Sequence, residues 1–292
     1  KTVEGSTAAG GASGFAEAED DGWSGAPFTF PRIQGADAAG TIVAVGAGVD
    51  PARIGQRVLV EPVFRGADGS VRYFGSECDG AFAQFARVPS AHAHCLQTSL
   101  SDVELASFPC SYSAAENMVN RARIGAGERV LVTGASGGVG SAAVQLAARR
   151  GARVTALVGH SKQQAVHDLG AQEVLDRHAP LGRDCFDAVI DIVGGPGFGE
   201  LLNALRPGGR YATAGAIAGP LVELDLRTLC LKELSLCGCT VLDPEVFPNL
   251  VDYIERGEVR PVVCATYPLA KIETAQRVFL EKRHVGKIVL EL

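Results

Sequence analysis

From residue 129 onward, short apolar runs alternate with Ala-rich or amphipathic stretches of helical length, and glycines mark the changes between them. Arg129-Val-Leu-Val-Thr133, Arg153-Val-Thr-Ala-Leu-Val158 and Phe186-Asp-Ala-Val-Ile-Asp191 have the largely apolar character of strands buried on both faces. Between them, Val139 to Arg150 and Ser161 to Leu169 read as helices, the second closed by Gly170. Glu173-Val-Leu175 adds a brief strand and Phe198 to Leu205 a helix. Pro207-Gly-Gly209 then turns into the strand Arg210-Tyr-Ala-Thr213, and Glu233 to Thr240 supplies a last strand. Strand alternating with helix predicts a parallel sheet.

The rest of the chain is patterned differently. Thr41-Ile-Val-Ala-Val-Gly46 and Arg57-Val-Leu-Val-Glu61, punctuated by Gly46, Gly48 and Gly55, predict short antiparallel strands, and Phe82 to Val88 a further strand before Pro89. Ser101-x-x-Glu104 has the form of a capping box, and a helix follows over Ser113 to Arg123. Beyond Asp243, Pro244 to Arg256 and Leu269 to Lys282 read as helices. Pro261-Val-Val263 and Lys287-Ile-Val-Leu290 read as strands, the last expected to rejoin the N-terminal half. Lys1 to Gly25 carries no apolar period and reads as loop or disordered tail. The expected class is α/β, with a Rossmann-type doubly wound parallel sheet over 113–242 and a β-rich domain assembled from 1–112 and 243–292.

Composition narrows the function classes. A chain of 292 residues with 47% hydrophobic and 21% charged residues is ordinary packed material, long enough for two domains. A net charge of −6 and the absence of any Lys/Arg run exclude a phosphate-tracking surface for nucleic acid. No stretch approaches the roughly 18 apolar residues of a membrane helix, and no basic-then-apolar leader is present, so the expectation is a soluble, cytoplasmic protein. The eight cysteines include no Cys-x-x-Cys pair, which argues against a zinc ribbon. Cys237-Gly-Cys239 places two thiols on one strand face, where a soft hydrophobe is the commoner reading than a metal ligand.

The chemistry centres on Gly134-Ala-Ser-Gly-Gly-Val-Gly140, which lies between a buried strand and the helix that follows. Glycines there let the backbone approach a pyrophosphate, whose charge the helix N-terminus then holds. NAD-specific domains of this type end the second strand on an acid that binds the ribose hydroxyls; here that position is Gly159, followed by His160, Ser161 and Lys162. A small residue followed by hydroxyl and ammonium donors accommodates a 2′-phosphate, so NADPH is the expected cofactor. Arg177, after the third strand, adds a second positive contact; the alternative is that Lys162 and Arg177 are solvated surface charges.

The chain resembles the zinc-independent quinone oxidoreductase branch of the medium-chain dehydrogenase/reductase superfamily, the group that includes zeta-crystallin. The motifs that carry the resemblance span nearly the whole chain. They are Gly35-Ala-Asp-Ala-Ala-Gly40, the 134–140 glycine loop, Leu169-Gly-Ala171, Leu205-Arg-Pro-Gly-Gly209, Lys232-Glu-Leu-Ser-Leu-Cys-Gly-Cys-Thr240 and Gly286-Lys-Ile-Val289. The resemblance implies a GroES-like catalytic domain built from both chain ends, a cleft between domains, and hydride transfer from NADPH to a quinone or α,β-unsaturated carbonyl (an enone). It implies Ser136, Gly137, Gly138 and Val139 at the pyrophosphate and Gly159, Ser161, Lys162 and Arg177 at the adenosine phosphate. Gly195, Gly215, Ala216, Cys239 and Thr240 correspond to positions flanking the nicotinamide. The segment between Gly159 and Gly170 is shorter than in the family, which leaves His160, Ser161 and Lys162 as alternatives for the phosphate contact.

Zinc-dependent relatives carry a His-Glu pair where this chain has Ala36-Asp37, and their four-cysteine lobe is missing, so no metal is expected. Cys110 matches another zinc-ligand position and reads equally as a pocket-lining thiol or as an ordinary buried residue. The proton donor is unassigned, with Tyr112, Tyr73 and water as candidates. His92 and His94, next to Pro89, are expected on a surface turn, and Asp191 and Asp225 in structural hydrogen bonds at strand ends. Family members begin earlier, with strands that have no counterpart before Lys1, so the catalytic domain is expected to be incomplete. Lys1 to Gly5 resembles the family's substrate loop, with Val3 or Glu4 where a basic residue is usual. The partners expected are a small-molecule quinone or enone and a second copy of the chain, paired through the apolar strand Leu234–Cys239 as a homodimer. Two rival readings stand beside the quinone reductase: a zinc-independent enoyl-thioester reductase, and a catalytically idle NADPH-binding or structural protein.

Overall fold

The computed structural model describes residues 29–66 and 68–292; the expectations for Lys1 to Gly25, including the substrate-loop resemblance, lie outside the described residues. In chain order the structure begins with β1 (Ala39–Thr41), β2 (Arg57–Val60), β3 (Val63–Arg65), β4 (Val71–Tyr73), β5 (Ala93–Cys95), α1 (Asp102–Leu105) and α2 (Pro109–Arg121). It continues with β6 (Arg129–Val132), α3 (Gly138–Arg149), β7 (Arg153–Val158), α4 (Gln163–His167), β8 (Glu173–Asp176), β9 (Phe186–Asp191), α5 (Phe198–Ala204) and β10 (Leu205–Thr213). It ends with α6 (Leu226–Leu231), β11 (Ser235–Gly238), α7 (Val246–Glu255), β12 (Val263–Pro268), α8 (Ile272–Leu280) and β13 (Lys287–Glu291). The described residues form two compact units, one of Ser111–Val246 with Arg283–Gly286, the other of 29–110, Phe247–Lys282 and Lys287–Leu292.

The first unit is the doubly wound sheet. Its six strands run in the order β11-β10-β9-β6-β7-β8, and every pairing is parallel. The order reverses between β6 and β9, which pair Val130 with Ala188, Leu131 with Val189 and Val132 with Ile190. These central strands are apolar because helices cover both faces: all six residues of β9 are buried. Leu131, Val189, Phe198, Leu202, Leu205 and Tyr211 form a core cluster on this sheet. Full burial of one such leucine is worth about 1.5 to 3 kcal/mol. α3 is built of alanine and glycine so that it can lie close to the strands. At Gly140 the requirement is absolute, since a Cβ would collide with the Gly134 carbonyl.

The second unit is β-rich. β1, β2 and β5 form an antiparallel sheet, β3 and β4 a hairpin, and β12 and β13 a parallel pair. Val60, Phe64 and Phe74 make its small core. The capping box is present in full, with the Ser101 hydroxyl accepting from Glu104 N and the Glu104 carboxylate accepting from Ser101 N.

Several elements differ from expectation. The first strand is Ala39–Thr41, and Val43, three-fifths exposed, lies beyond it. Phe82 to Val88 is not a strand. The backbone N–H groups of Gly80, Ala81 and Phe82 donate instead to the carbonyls of Ile33, Gly35 and Gln34, and Gly35 sits at φ +103 under the Phe82 ring. α2 begins at Pro109, four residues before Ser113. β12 runs to Pro268, past the short strand expected to end at Val263. Among the described residues no helix is long and apolar enough to cross a membrane.

Candidate functional site

In a parallel sheet of this kind, ligands bind beyond the carboxyl ends of the strands at the point where strand order reverses. The expected cofactor residues fall on the turns that leave those ends, with Gly138 and Val139 at the start of α3. β6 leads through Gly134 (φ +57) into Ser136 and Gly137, and α3 starts at Gly138. Gly137 caps α3 without any side-chain hydrogen bond, so the first N–H groups of the helix have no acceptor from the cap side chain. The loop is braced from behind, where Gly286 N donates to the Ser136 carbonyl at 2.9 Å.

β7 ends at Val158, and Gly159 opens a 3₁₀ turn over His160–Lys162. Arg177 follows β8, and its backbone N donates to the Val158 carbonyl at 3.1 Å. Its guanidinium lies directly over Gly159, so that an added Cβ would meet Nη2, with Cζ at 3.3 Å and Nε at 3.5 Å. The absence of a side chain at Gly159 thus makes room for a guanidinium at the end of the second strand. Ser161, His160 and Arg177 are exposed there, and Lys162 is half-buried.

The opposite half of the sheet presents the remaining residues. Gly194 (φ +63) and Gly195 (φ +72) turn the chain after β9. Gly215 and Ala216 follow β10, and Cys239 and Thr240 follow β11. The first two groups are in contact: Ala218 N donates to the Val193 carbonyl at 2.8 Å, and a Cβ on Gly195 would stand 2.6 Å from the Ala218 carbonyl oxygen. Cys239 is buried, its N–H donates to the Thr213 carbonyl at 2.9 Å, and burial pushes its thiol up to about 11. Thr240 is exposed.

Cys110 belongs to the β-rich unit. Its backbone N donates to Asp37 Oδ1 at 2.7 Å, and Asp37 Oδ2 accepts from Lys287 Nζ at 2.8 Å. Burial, reinforced by the Asp37 charge, pushes the Cys110 thiol up to about 11. Burial pulls Lys287 down, but the Asp37 carboxylate and Cys110 outweigh it and hold the ammonium above the ordinary lysine value. Asp37 and Lys287 line a cavity of about 280 Å³ with Phe82, Phe279 and Gln276. Ala36 presents only a methyl group to it.

The tyrosine candidates are both interior. Tyr112 is 1% exposed, in the core of the dinucleotide unit, with its hydroxyl accepting from Gln145 Nε2 at 2.8 Å. Tyr73 is buried in the β-rich unit, which raises its pKa, as does nearby Glu77. The histidines are not on a surface turn. His92 is buried and His94 half-buried, and both rings meet Glu61 Oε2, at 2.9 and 3.2 Å. His92 Nε2 accepts from Arg65 N at 3.2 Å, so Nδ1 carries the proton that faces Glu61. Asp225 caps α6 by accepting from Arg227 N, and Asp191 is fully buried at the end of β9. Among the described residues no group of three or more His, Cys, Asp or Glu is arranged to hold a metal ion.

Comparison with known proteins agrees with this architecture in both units. Residues 12–98 match the alcohol dehydrogenase GroES-like domain and residues 138–256 the zinc-binding dehydrogenase family. A structure from Sinorhizobium meliloti 1021 assigned as an alcohol dehydrogenase is 48% identical, with a TM-score of 0.85 over 90% of this chain and 77% of that one. The acryloyl-coenzyme A reductase of Metallosphaera sedula is 29% identical over 280 residues, 89% of this chain and 83% of the reductase. The quinone oxidoreductase of Pongo abelii is 29% identical over 280 residues, 90% of this chain and 80% of that enzyme. The paired domains, the strand order and these relatives together place the chain in the medium-chain dehydrogenase/reductase superfamily, oxidoreductases that use nicotinamide cofactors, with quinone oxidoreductases among its homologues.

Proposed function

We propose that the protein is an NADPH-dependent reductase of quinones or α,β-unsaturated carbonyls that works without catalytic zinc. The observation that carries the cofactor choice is the Arg177 guanidinium packed over Gly159 at the end of β7, where an NAD-specific site would hold an acid. The residues fit the dinucleotide. Ser136, Gly137, Gly138 and Val139, at the uncapped start of α3, receive the diphosphate, Gly159, Ser161, Lys162 and Arg177 the adenosine phosphate, and Gly195, Gly215, Ala216, Cys239 and Thr240 flank the nicotinamide. When bound, NADPH supplies the hydride. The protein's contribution is orientation: rigid strand ends fix each half of the dinucleotide, which lowers the entropy cost of reaching the transfer geometry.

Zinc does not fit the donors present. Ala36 offers none, and Asp37 has one oxygen on the Cys110 amide and the other on Lys287, which leaves Cys110 without the partner ligands a zinc site needs. A second reading, reduction of an enoyl thioester, is favoured by the likeness to the acryloyl-coenzyme A reductase. Both substrates present a carbon conjugated to a carbonyl. Steady-state NADPH oxidation with 1,2-naphthoquinone, a simple enone and an enoyl thioester separates them. Turnover of the quinone or enone supports the first reading, preference for the thioester the second, and no turnover with any refutes both in favour of a binding protein.

A further inference from the structure

Asp191 takes hydrogen bonds from three segments of the dinucleotide unit. Oδ1 accepts from the Thr133 hydroxyl at 2.5 Å and from Val193 N at 2.9 Å. Oδ2 accepts from the Tyr211 hydroxyl at 2.5 Å, and Gly194 N lies 3.3 and 3.2 Å from the two oxygens. Thr133 Oγ1 also accepts from Ile192 N at 3.1 Å, which extends the β6–β9 connection beyond the last paired residues, Val132 and Ile190. Burial, then the bond to Asp191, push the Tyr211 phenol far above its usual range, so it remains a donor.

These partners are the residues that start the two halves of the cofactor bed. Thr133 immediately precedes Gly134 of the diphosphate loop. Val193 and Gly194 lead into Gly195, on the nicotinamide side. A buried carboxylate with this many donors fixes its neighbours strongly, because any donor that loses its acceptor there stays desolvated. It also turns the Val193 and Gly194 amides inward, which aims the Gly194–Gly195 turn at the loop after β10.

We propose that Asp191 is a positioning residue for the nicotinamide half of the dinucleotide, setting the Gly194–Gly195 turn in register with the diphosphate loop across the reversal in strand order. The proposal rests on the nicotinamide-cofactor reading above. Asp191→Asn exchanges one acceptor for an NH₂ among donors while keeping the shape. The test compares NADPH with adenosine 2′,5′-bisphosphate, which lacks the second diphosphate phosphorus and everything beyond it, using calorimetric titration and circular dichroism to confirm the fold.

The expected result is a rise in the NADPH Kd of about tenfold or more, with the bisphosphate within about twofold of wild type. Tyr211→Phe, which keeps the carboxylate and removes one donor, and Thr133→Val, which removes one donor together with the acceptor of Ile192 N, should show the same split and serve if Asp191→Asn does not fold. Equal weakening of both ligands makes Asp191 merely structural and overturns the proposal, as does unchanged NADPH binding in the folded variants. A wild type that prefers NADH refutes the 2′-phosphate reading alone, and the same comparison then runs with NADH and AMP. A wild type that binds neither dinucleotide overturns both readings.

Discussion

Replacing Gly159 by alanine tests the cofactor reading with the smallest possible perturbation. Gly159 has φ −66 and ψ 144, an extended conformation open to any residue, so the added methyl brings no backbone strain. Its one collision is with the Arg177 guanidinium, the far end of an exposed and flexible side chain, which must swing aside. Stability should therefore stay within about 0.5 kcal/mol of wild type in urea. Affinity should not. Displacing one charge-assisted contact to the 2′-phosphate costs about 1 to 2 kcal/mol, or about 5- to 30-fold in the NADPH Kd, while NADH is nearly unchanged. Arg177→Ala should give the same selective loss, and the double variant should be little worse than either single one, because both remove the same contact. Gly159→Asp goes further, pairing with Arg177 and repelling the phosphate, and should turn the preference toward NADH. Titration by the fluorescence of the reduced nicotinamide reads all four proteins. Equal loss of NADPH and NADH, or fully additive losses in the double variant, would refute the assignment.

Three further outcomes are expected. With its thiol pushed to about 11 by burial, Cys110 should resist alkylation at pH 7 while exposed Cys95, Cys230 and Cys264 react, and peptide mapping that finds Cys110 labelled as fast as Cys230 contradicts its placement. The same burial makes the folded state hold protons at Cys110 and Cys239 that the unfolded chain releases near 9, so stability from these groups is complete below about pH 9 and is lost as pH rises toward about 11; Cys239→Ala should flatten that slope in urea melts. β11 is an outer strand of the six-stranded sheet, with Leu236 39% and Ile217 66% exposed, so a two-fold dimer is expected in light scattering at micromolar concentration; Leu236→Lys should yield a monomer, and a monomeric wild type refutes the pairing.

The dinucleotide unit was legible in the sequence because its signals are local. A buried strand, a glycine loop and a helix follow one another within Arg129–Arg149, and each boundary has its own residue type. The β-rich unit was much less so. β3, β4 and β5 are three residues long, too short for a two-residue alternation to rise above chance, and Phe82 to Val88 alternated weakly without belonging to a ladder. α6 was missed because Asp225 read as a strand-end charge, when it caps a helix. Side-chain partnerships were hidden by distance along the chain. Asp37 and Lys287 are 250 positions apart, and nothing in either neighbourhood announces the other. Glu61 likewise gathers His92 and His94 from beyond a hairpin, which drew both rings inward from the surface turn that Pro89 implied. The 159–177 contact was half legible: the missing acid was plain, but the guanidinium that makes use of the space was visible only as a charge after the third strand.

The two units differ in how they are written into the chain, and this bears on how they come into being during synthesis. The parallel sheet with all its helices is drawn from one continuous stretch, Ser111–Val246, braced afterwards by Arg283–Gly286. It can collapse on the ribosome while translation is still under way, since domains generally fold as units as the chain emerges. The β-rich unit cannot finish at that stage. Its β12–β13 pair and the Lys287 partner of Asp37 come from residues 263–291, so Asp37 waits through the production of the whole dinucleotide unit for its counter-charge. A stalled or truncated translation product that stops near residue 250 would carry a formed sheet beside an open β-rich half. Pulse proteolysis of ribosome-bound chains arrested before residue 287, and of the released chain, should find the 111–246 stretch protected in both and 29–110 protected only in the released chain.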